Sequence, residues 1–287
     1  MNKQPVVLSI RQHDRNVAGL TYVYPVVSRR AGGVSIGINL NPNNACNWRC
    51  VYCQVPDLQR GAAPEIDLAL LERELRDFVD YVLNGDFMLA QVPPEARRLN
   101  DIALSGNGEP TSAACFEQVV QLVGRVMSDF GLIGQIKLVL ITNGSLMSRL
   151  SVQRGLEAMQ TLGGEVWFKI DRGSAVDMAA INQINLSPDR VRRHLKLAAE
   201  RCSTWVQTCM FCMDGEPPDE KMLSSYLALL QSAVEENGVQ LKGVLLYGLA
   251  RSSMQPEAAR LSPCPVEWMA VLADRIERLG LSVRLSV

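Results

Sequence analysis

Residues 34–53 read VSIGINLNPNNACNWRCVYC, in which an apolar run leads into a loop that carries three cysteines. The run predicts a buried strand over residues 34–41, because it is rich in apolar and β-branched residues and ends at an Asn-Pro turn signal. The loop spaces Cys46, Cys50 and Cys53 as CxxxCxxC. A buried strand followed by a loop of reactive side chains indicates a parallel α/β fold, in which ligands bind beyond the carboxyl ends of the strands.

The same pattern recurs along the chain. Apolar runs alternate with amphipathic helices that begin at cap residues such as Asp67 and Ser187 and end at residues such as Gly85 and Gly238. Six strands alternating with helices predict a parallel sheet with right-handed crossovers, either open or closed as a barrel. The predicted strands cover residues 34–41, 101–105, 136–142, 165–171, 204–211 and 240–247. Functional side chains are expected in the loops after them, at residues 42–66, 106–113, 143–150, 171–187, 212–217 and 248–264.

Length and composition describe an ordinary globular protein. The chain has 287 residues, 47% of them hydrophobic, with a net charge of −1 and a mean hydropathy of +0.04. These values exclude a disordered, collagen-like or coiled-coil protein. Since no apolar run approaches the roughly 18 residues that a membrane span needs, we expect a cytoplasmic protein with no membrane partner. We predict an N-terminal extension over residues 1–33 and a single core domain over residues 34–287.

The eight cysteines point to a metal centre rather than to disulfides. In a reducing compartment, clustered thiols are more often ligands than bridges. Three thiolates within eight residues can surround one metal centre, whereas a tetrahedral zinc site would need a second CxxC pair beside this loop. Three cysteines leave a four-iron cluster one iron short of protein ligands. That iron can bind a substrate or cofactor directly.

Three motifs together resemble those of the radical S-adenosylmethionine (SAM) superfamily. CNWRCVYC, residues 46–53, resembles the cluster motif of that superfamily, including the aromatic Tyr52 before the last cysteine. SGNGEPT, residues 105–111, resembles its glycine- and glutamate-containing motif, and TNG, residues 142–144, is also common in it. The resemblance extends from residue 34 to about residue 280. It implies an α/β fold, a partial (β/α)6 barrel of the radical SAM type, in a single domain with a short N-terminal extension.

The resemblance also implies the cofactors. Cys46, Cys50 and Cys53 would hold a 4Fe–4S cluster, and SAM would bind to its fourth iron. Reduction of the cluster would cleave SAM to methionine and a 5′-deoxyadenosyl radical that abstracts hydrogen from a substrate. A low-potential electron donor such as flavodoxin or ferredoxin is implied as a partner. The residues implied to bind SAM are Gly106, Asn107, Gly108 and Glu109 at the methionine ammonium, Tyr52 at the adenine, and Asn143, Lys169 and Asp171 near the ribose or sulfonium.

Structural explanations compete with some of these assignments. A glycine-rich turn between a strand and a helix is often only a tight connection. Lys169 and Asp171 share a strand face, so they could instead form an ion pair inside the barrel. His194 lies among basic residues of a predicted helix, which favours a solvated basic face over a ligand.

Five cysteines lie outside the cluster loop. Cys209 and Cys212 end the fifth predicted strand and Cys264 follows the sixth, so we expect all three thiols at the same mouth of the barrel as the cluster loop. They could bind an auxiliary iron–sulfur cluster or zinc, donate hydrogen, anchor a substrate, or only form an apolar wall. Cys202 is predicted to be a packing thiol, and Cys115 could take either role.

A narrower resemblance is to relatives of the tRNA wyosine-base synthases, through NPNNACNWRCVYC, GNGEPT, VQTCMF and LYGLAR. The chain departs from that family because no cysteine precedes Cys46 to hold a second, N-terminal cluster. The net charge of −1 disfavours tRNA as a substrate. Residues 1–60 nevertheless carry seven basic against two acidic residues, Arg29 and Arg30 among the basic ones, and could bind an anionic group.

The lead hypothesis is a radical SAM enzyme that abstracts hydrogen from a small molecule, peptide or nucleotide, with its substrate and the catalytic residues that act on it open. A second hypothesis is an iron–sulfur electron-transfer or sensor protein that does not use SAM. A third is a zinc-binding nucleic-acid module.

Overall fold

The computed structural model describes residues 19–28, 32–236 and 239–287. Arg29 and Arg30, and the helix end predicted at Gly238, lie outside the described residues. The strands are β1 (Val23–Ser28), β2 (Gly33–Ile38), β3 (Ala45–Cys46), β4 (Gln59–Arg60), β5 (Leu99–Leu104), β6 (Lys137–Thr142), β7 (Glu165–Lys169), β8 (Ser203–Met210), β9 (Cys212–Met213), β10 (Leu241–Gly248), β11 (Leu261–Ser262) and β12 (Val283–Ser286).

The main sheet has the strand order β1-β2-β5-β6-β7-β8-β10-β12. All six predicted strands are present in sequence order, and each pairs in parallel with the next. The sheet curls into a half-barrel with two free edges, so the predicted partial barrel in a single α/β domain is confirmed. The minor strands form two separate pairs, β3 with β4 and β9 with β11.

The two edge strands were not predicted from the sequence. β1 pairs antiparallel with β2, and β12 extends the other edge in parallel with β10. β1 contains Pro25, which removes a backbone donor and is tolerated in sheets at edges. Because β1 belongs to the main sheet, the described part of the predicted N-terminal extension is continuous with the core.

The helices cover one face of the sheet. Asp67 caps the first helix by accepting from the backbone N–H of Leu70, as predicted, and Ser187 caps the sixth in the same way. Leu71 and Leu75 of the first helix are fully buried in the main core. The helices are α1 (Leu68–Asn84), α2 (Phe87–Gln91), α3 (Phe116–Asp129), α4 (Leu150–Thr161), α5 (Ala175–Ile181), α6 (Pro188–Ala199), α7 (Glu220–Glu235) and α8 (Val266–Glu277), with 3-10 turns at Pro94–Ala96, Pro110–Ser112 and Ala258–Arg260.

The other face of the sheet carries a separate layer of side chains. Strand residues alternate between the two faces, so Leu104 and Leu140 pack under the helices while Ala103, Val139 and Trp167 form a second cluster on the inner face. This inner face lies open to a cavity at the carboxyl ends of the parallel strands. Among the helices of the described residues, none has the length and apolar character needed to cross a membrane.

Candidate active site in a thiol-lined cavity

A cavity of about 310 Å³ lies against the inner face of the half-barrel. It is where the fold brings most of the predicted site residues together, because the loops that follow parallel strands meet at one end of the sheet. Asp171, Cys212 and Cys264 do not line it. The predicted residues that do line it are Cys46, Cys50, Tyr52, Cys53, Gly106, Asn107, Gly108, Glu109, Asn143, Lys169 and Cys209.

The three thiols of the cluster loop are half-buried and each faces this cavity. Cys46 Sγ accepts from the backbone N–H of Trp48 at 3.5 Å, and Cys50 Sγ accepts from the Asn182 side-chain amide at 3.3 Å. Burial raises the pKa of Cys46 to about 12 and that of Cys50 to about 11. Both thiols therefore stay protonated at neutral pH until a bound metal supplies positive charge.

This donor set fits an iron–sulfur cluster better than a single ion. Across residues 19–28, 32–236 and 239–287, no three His, Cys, Asp or Glu side chains are grouped to hold one metal ion. A four-iron cluster ligates each thiolate at a different iron, so its three sulfurs need not converge on one point. The sulfurs of Cys46 and Cys50 each accept a hydrogen bond, and hydrogen bonds to ligand sulfurs are among the factors that set the reduction potential of such clusters. The buried indole N–H of Trp48, which also lines the cavity, has no hydrogen-bond partner among the described residues.

The glycine loop, residues 106–109, packs directly on the start of the cluster loop. A Cβ on Gly108 would lie 2.0 Å from the carbonyl oxygen of Ala45, next to Cys46. Gly106 has φ of +149° and its Cβ would lie 2.3 Å from Asn39 Oδ1. A side chain at position 108 would push the two loops apart, and one at position 106 would collide with Asn39, directly after β2. Gly108 is thus needed for contact between the glycine loop and the cluster loop. A tight strand-to-helix connection alone would not require glycine there.

Gly108→Ala is expected to weaken SAM binding by about tenfold or more, because the added methyl group must displace the Ala45 carbonyl and the cluster loop with it. Binding is measured by anaerobic calorimetry on the iron-loaded protein. The control is Gly163→Ala, because a Cβ on Gly163 has open space around it; at φ +69° this substitution strains the backbone, which Gly108→Ala does not, but it crowds no neighbouring loop. Similar SAM affinity in both variants would contradict this prediction.

Glu109 joins the glycine loop to the TNG loop after β6. Its Oε1 accepts from the backbone N–H of Thr111 at 3.1 Å and from the hydroxyls of Thr111 and Thr142, and its Oε2 accepts from the backbone N–H of Asn143 at 2.7 Å. Burial raises the pKa of Glu109, and these hydrogen bonds oppose the rise. One acceptor position on Oε2 is left over. Contact between Glu109 and the SAM ammonium stays a prediction.

A buried charged group forms the wall of the cavity beside Cys50. Lys169 Nζ donates to the hydroxyls of Tyr52 at 2.7 Å and Tyr247 at 3.2 Å, and it lies 3.9 Å from Asp171 Oδ1. The Tyr52 hydroxyl in turn donates to Asp171. Burial would lower the pKa of Lys169, but the acidic groups around it, Asp171 first, outweigh that effect and raise it. The competing expectation of an ion pair inside the barrel is met.

Asp171 itself sits behind the cavity wall. Its side chain is fully buried, and its Oδ2 accepts from the Asn182 amide at 2.8 Å as well as from Tyr52. Asn182 also donates to Cys50 Sγ. From this position Asp171 orients Tyr52 and Asn182 around the thiol, so the direct contact with SAM predicted for it has no support in the geometry.

His194 is not on a solvated face, and that expectation is wrong. The ring is buried, and its Nδ1 lies 2.7 Å from the carbonyl oxygen of Gly144. Burial lowers the pKa of His194, so the neutral ring donates from Nδ1 to that carbonyl. Gly144 has φ of +71° and lies against Phe168. His194 therefore supports the TNG loop from below.

Cys209, Cys212 and Cys264 do not all face the cavity. Cys209 lies on the cavity side with Tyr52, whereas Cys212 and Cys264 are buried in the main core with their sulfurs 3.7 Å apart. Cys209 and Cys212 are separated by an odd number of positions along extended chain, which turns their side chains to opposite faces. Cys212 and Cys264 therefore contact each other but do not face the cavity, so the expectation that they share the end of the barrel with the cluster loop is wrong. Cys202 is buried, as expected of a packing thiol.

The sequence does not single out several polar residues of the site. Asn182 and Tyr247 contact the Cys50 side of the cavity, and Asn47 accepts from the Asn143 amide at 2.8 Å. Asn182 lies in loop 171–187 and Asn47 in loop 42–66, both expected to carry functional side chains. Their place in loops after strands is the one sequence signal for a functional role, but nothing in either loop distinguishes Asn182 or Asn47 from its neighbours.

Two of the basic residues near the N-terminus are already engaged within the chain. Arg49 forms a two-point ion pair with Glu257, and Arg60 donates to the backbone carbonyls of Asn47 and Gln183. Neither guanidinium is thus a free anion-binding group.

Comparison with known proteins decides the family. The profile of the Radical SAM superfamily matches residues 40–227, a stretch that contains both the cluster loop and the glycine loop. The chain belongs to the radical SAM superfamily. Membership implies an enzyme that uses SAM and a 4Fe–4S cluster.

Solved structures share the fold of this radical SAM protein at low sequence identity. SuiB from Streptococcus suis, crystallised with SAM bound, aligns over 89% of this chain and 47% of its own, with a TM-score of 0.55 and 12% identity. A mutant of spore photoproduct lyase aligns over 85% of this chain and 74% of its own, with a TM-score of 0.53 and 10% identity. At these identities the similarity shows the fold alone.

Two curated proteins are similar in sequence. The UPF0026 protein slr1464 of Synechocystis sp. is 26% identical over 236 residues, which are 76% of this chain and 74% of that protein. The GTPase Obg of Brachyspira hyodysenteriae is 23% identical over 154 residues, 54% of this chain and 20% of that protein. The chain thus spans about a fifth of that GTPase and just under half of SuiB. None of these four similarities supports the narrower resemblance to wyosine-base synthases.

Proposed function

We propose that this radical SAM protein holds its cluster through Cys46, Cys50 and Cys53, binds SAM between the cluster and the glycine loop, and abstracts hydrogen from a substrate. The observation that carries the proposal is the contact of the two loops inside one cavity, where Gly108 lies against the carbonyl of Ala45. A protein that only transferred electrons or sensed iron would need the thiols but not a backbone-lined cradle beside them.

The bound cofactors supply the radical chemistry, since one-electron reduction of SAM at the cluster breaks a carbon–sulfur bond. The chain's own residues supply orientation and exclusion of water. Asn143 and Asn47, joined by a hydrogen bond of 2.8 Å, link the TNG loop to the cluster loop. Lys169 holds the Tyr52 hydroxyl, so that the ring keeps one position at the cavity wall. Both devices fix the place where SAM would meet the cluster.

The inner part of the cavity is proposed to receive the substrate. It is lined by Tyr24 from β1, Val139 from β6 and Trp167 from β7, below the residues assigned to SAM. Ser35 and Asp101 also line the cavity, so its apolar and aromatic surface carries a few polar groups, which suits a small molecule or one end group of a peptide or nucleotide. A flavodoxin or ferredoxin is the proposed electron donor. We do not favour tRNA, because Arg49 and Arg60 are engaged within the chain.

The test is SAM cleavage by the anaerobically reconstituted protein with dithionite as reductant. We expect near four iron atoms per chain, formation of 5′-deoxyadenosine and methionine, and a change in the electron paramagnetic resonance spectrum of the reduced cluster when SAM is added. The iron–sulfur electron-transfer or sensor hypothesis predicts no spectral change and no cleavage. An intact cluster that repeatedly yields no 5′-deoxyadenosine would show that the proposal is wrong.

A further inference from the structure

Two hundred residues after the cluster loop, the chain returns to pack on it. Ser253 Oγ lies 2.7 Å from the carbonyl oxygen of Val51 and 3.2 Å from that of Cys53. The backbone N–H of Met254 also donates to the Cys53 carbonyl, at 2.9 Å. These contacts converge on the third cysteine of the CxxxCxxC loop.

Gln255 extends the same contact. Its side-chain amide donates to the carbonyl of Val55 at 2.9 Å and lies 3.4 Å from that of Cys53. The backbone N–H of Gln255 donates to Ser253 Oγ at 3.0 Å, which fixes the hydroxyl in place. Ser253 and Gln255 are both buried, at 6% and 7% exposure, so water does not substitute for them easily.

A charged contact holds the other side of the loop. Arg49 Nη2 and Nη1 lie 2.7 and 3.2 Å from the two carboxylate oxygens of Glu257. Gln183 bridges the pair, since it accepts from Arg49 Nε at 2.9 Å and donates to Glu257 at 3.1 Å. Two-point arginine–carboxylate pairs fix geometry as well as distance.

We propose that Ser253, Gln255 and Glu257 form a clamp that positions the cluster loop and sets the stability and reduction potential of the cluster. The inference rests on the proposed function, because the cluster is the group that the loop would hold. The clamp satisfies the carbonyl oxygens of Val51, Cys53 and Val55 by hydrogen bonds. Outer contacts of this kind orient metal ligands, and hydrogen bonding and exposure around the sulfurs set cluster potentials.

The clamp is also connected to the cavity. Residues 248–251, just before Ser253, line the cavity wall, and the hydroxyl of Tyr247, in β10, accepts from Lys169. A single segment therefore lines the cavity and holds the Cys53 end of the cluster loop. The three clamp residues are positioning residues, since none of their side chains is among those lining the cavity.

The experiment compares Ser253→Ala and Gln255→Leu with wild type, all anaerobically reconstituted. The control is Ser225→Ala, which removes a half-buried hydroxyl that likewise donates to a backbone carbonyl, at Met222, but does not line the cavity. We expect each clamp variant to release iron to a chelator about tenfold faster than wild type, as the loss of one buried hydrogen bond implies. We also expect a shifted cluster reduction potential in the clamp variants and no shift in Ser225→Ala.

Amide hydrogen exchange of residues 50–56 is measured on the same preparations. Faster exchange in the clamp variants, with an unchanged rate in Ser225→Ala, supports the clamp. Unchanged iron release, potential and exchange in both clamp variants would overturn it. A wild-type protein that holds no iron would instead overturn the proposed function, while the exchange comparison still tests whether these residues position the loop. Should Ser253→Ala not fold, Gln255→Leu and Glu257→Gln provide the same comparison.

Discussion

Replacing Cys46, Cys50 and Cys53 together by alanine is expected to abolish cluster binding and, with it, formation of 5′-deoxyadenosine. The three thiols are the protein ligands that a CxxxCxxC loop offers to a cluster, each at a different iron, and all three face the cavity. Without thiolates the irons have no anchor. Iron per chain and product formation are measured on anaerobically reconstituted protein.

The fold should survive this triple substitution, because the thiols lie half-buried at the cavity rather than in the core. The matched control is Cys115→Ala, which removes a half-buried thiol that does not line the cavity. We expect wild-type iron content and activity in the control and a far-ultraviolet circular dichroism spectrum like wild type in both variants. A triple variant that retains the wild-type iron content would refute the assignment of these ligands.

Asp171→Ala is expected to destabilise the protein by about 3–5 kcal/mol, the usual cost of breaking a buried ion pair by removing one partner. The substitution leaves Lys169 charged inside the protein, and it also removes the acceptor for the Tyr52 hydroxyl and the Asn182 amide. The backbone N–H of Cys209, which donates to Asp171 Oδ1 at 2.9 Å, loses its partner as well. Urea unfolding followed by circular dichroism gives the free energy of unfolding.

An exposed ion pair provides the comparison for Asp171. Asp189 pairs with Arg192 on α6 and its side chain is 75% exposed, so Asp189→Ala should change stability by no more than about 0.5 kcal/mol. The double substitution Lys169→Met/Asp171→Ala should recover part of the loss, because no unpaired charge remains. Equal losses for Asp171→Ala and Asp189→Ala would show that the buried pair does not carry this energy.

Much of the sheet could be predicted from local pattern. Each of the six parallel strands is a short apolar run bounded by turn residues, and such runs are visible without any knowledge of neighbours. β1 was missed because Pro25 weakens its pattern, and it is stable only as an edge strand beside β2. β12 likewise has polar residues, Arg284 and Ser286, that a strand at the sheet's edge tolerates.

The site was predictable to the extent that its residues were adjacent in sequence. The CxxxCxxC spacing and the glycine loop are local, and both line the cavity as their position after strands implied. His194 was misplaced because a basic helix gives no sign of which residue turns inward toward Gly144. The side chains of Cys209 and Cys212 point to opposite faces of the sheet. Because the run around them is apolar on both faces, the sequence does not show which of the two faces the cavity.

Residues a few positions apart in sequence determine the chemistry of the cluster loop, since one loop brings Cys46, Cys50 and Cys53 close together whatever surrounds it. The residues that contact this loop are not determined in that local way. Asn182 at Cys50, Asp171 behind Tyr52, and Ser253 on the Cys53 carbonyl come from loops more than a hundred residues away. Contacts of that separation depend on how the strands order and curl in the half-barrel, so only the tertiary structure could decide how the cluster loop is held.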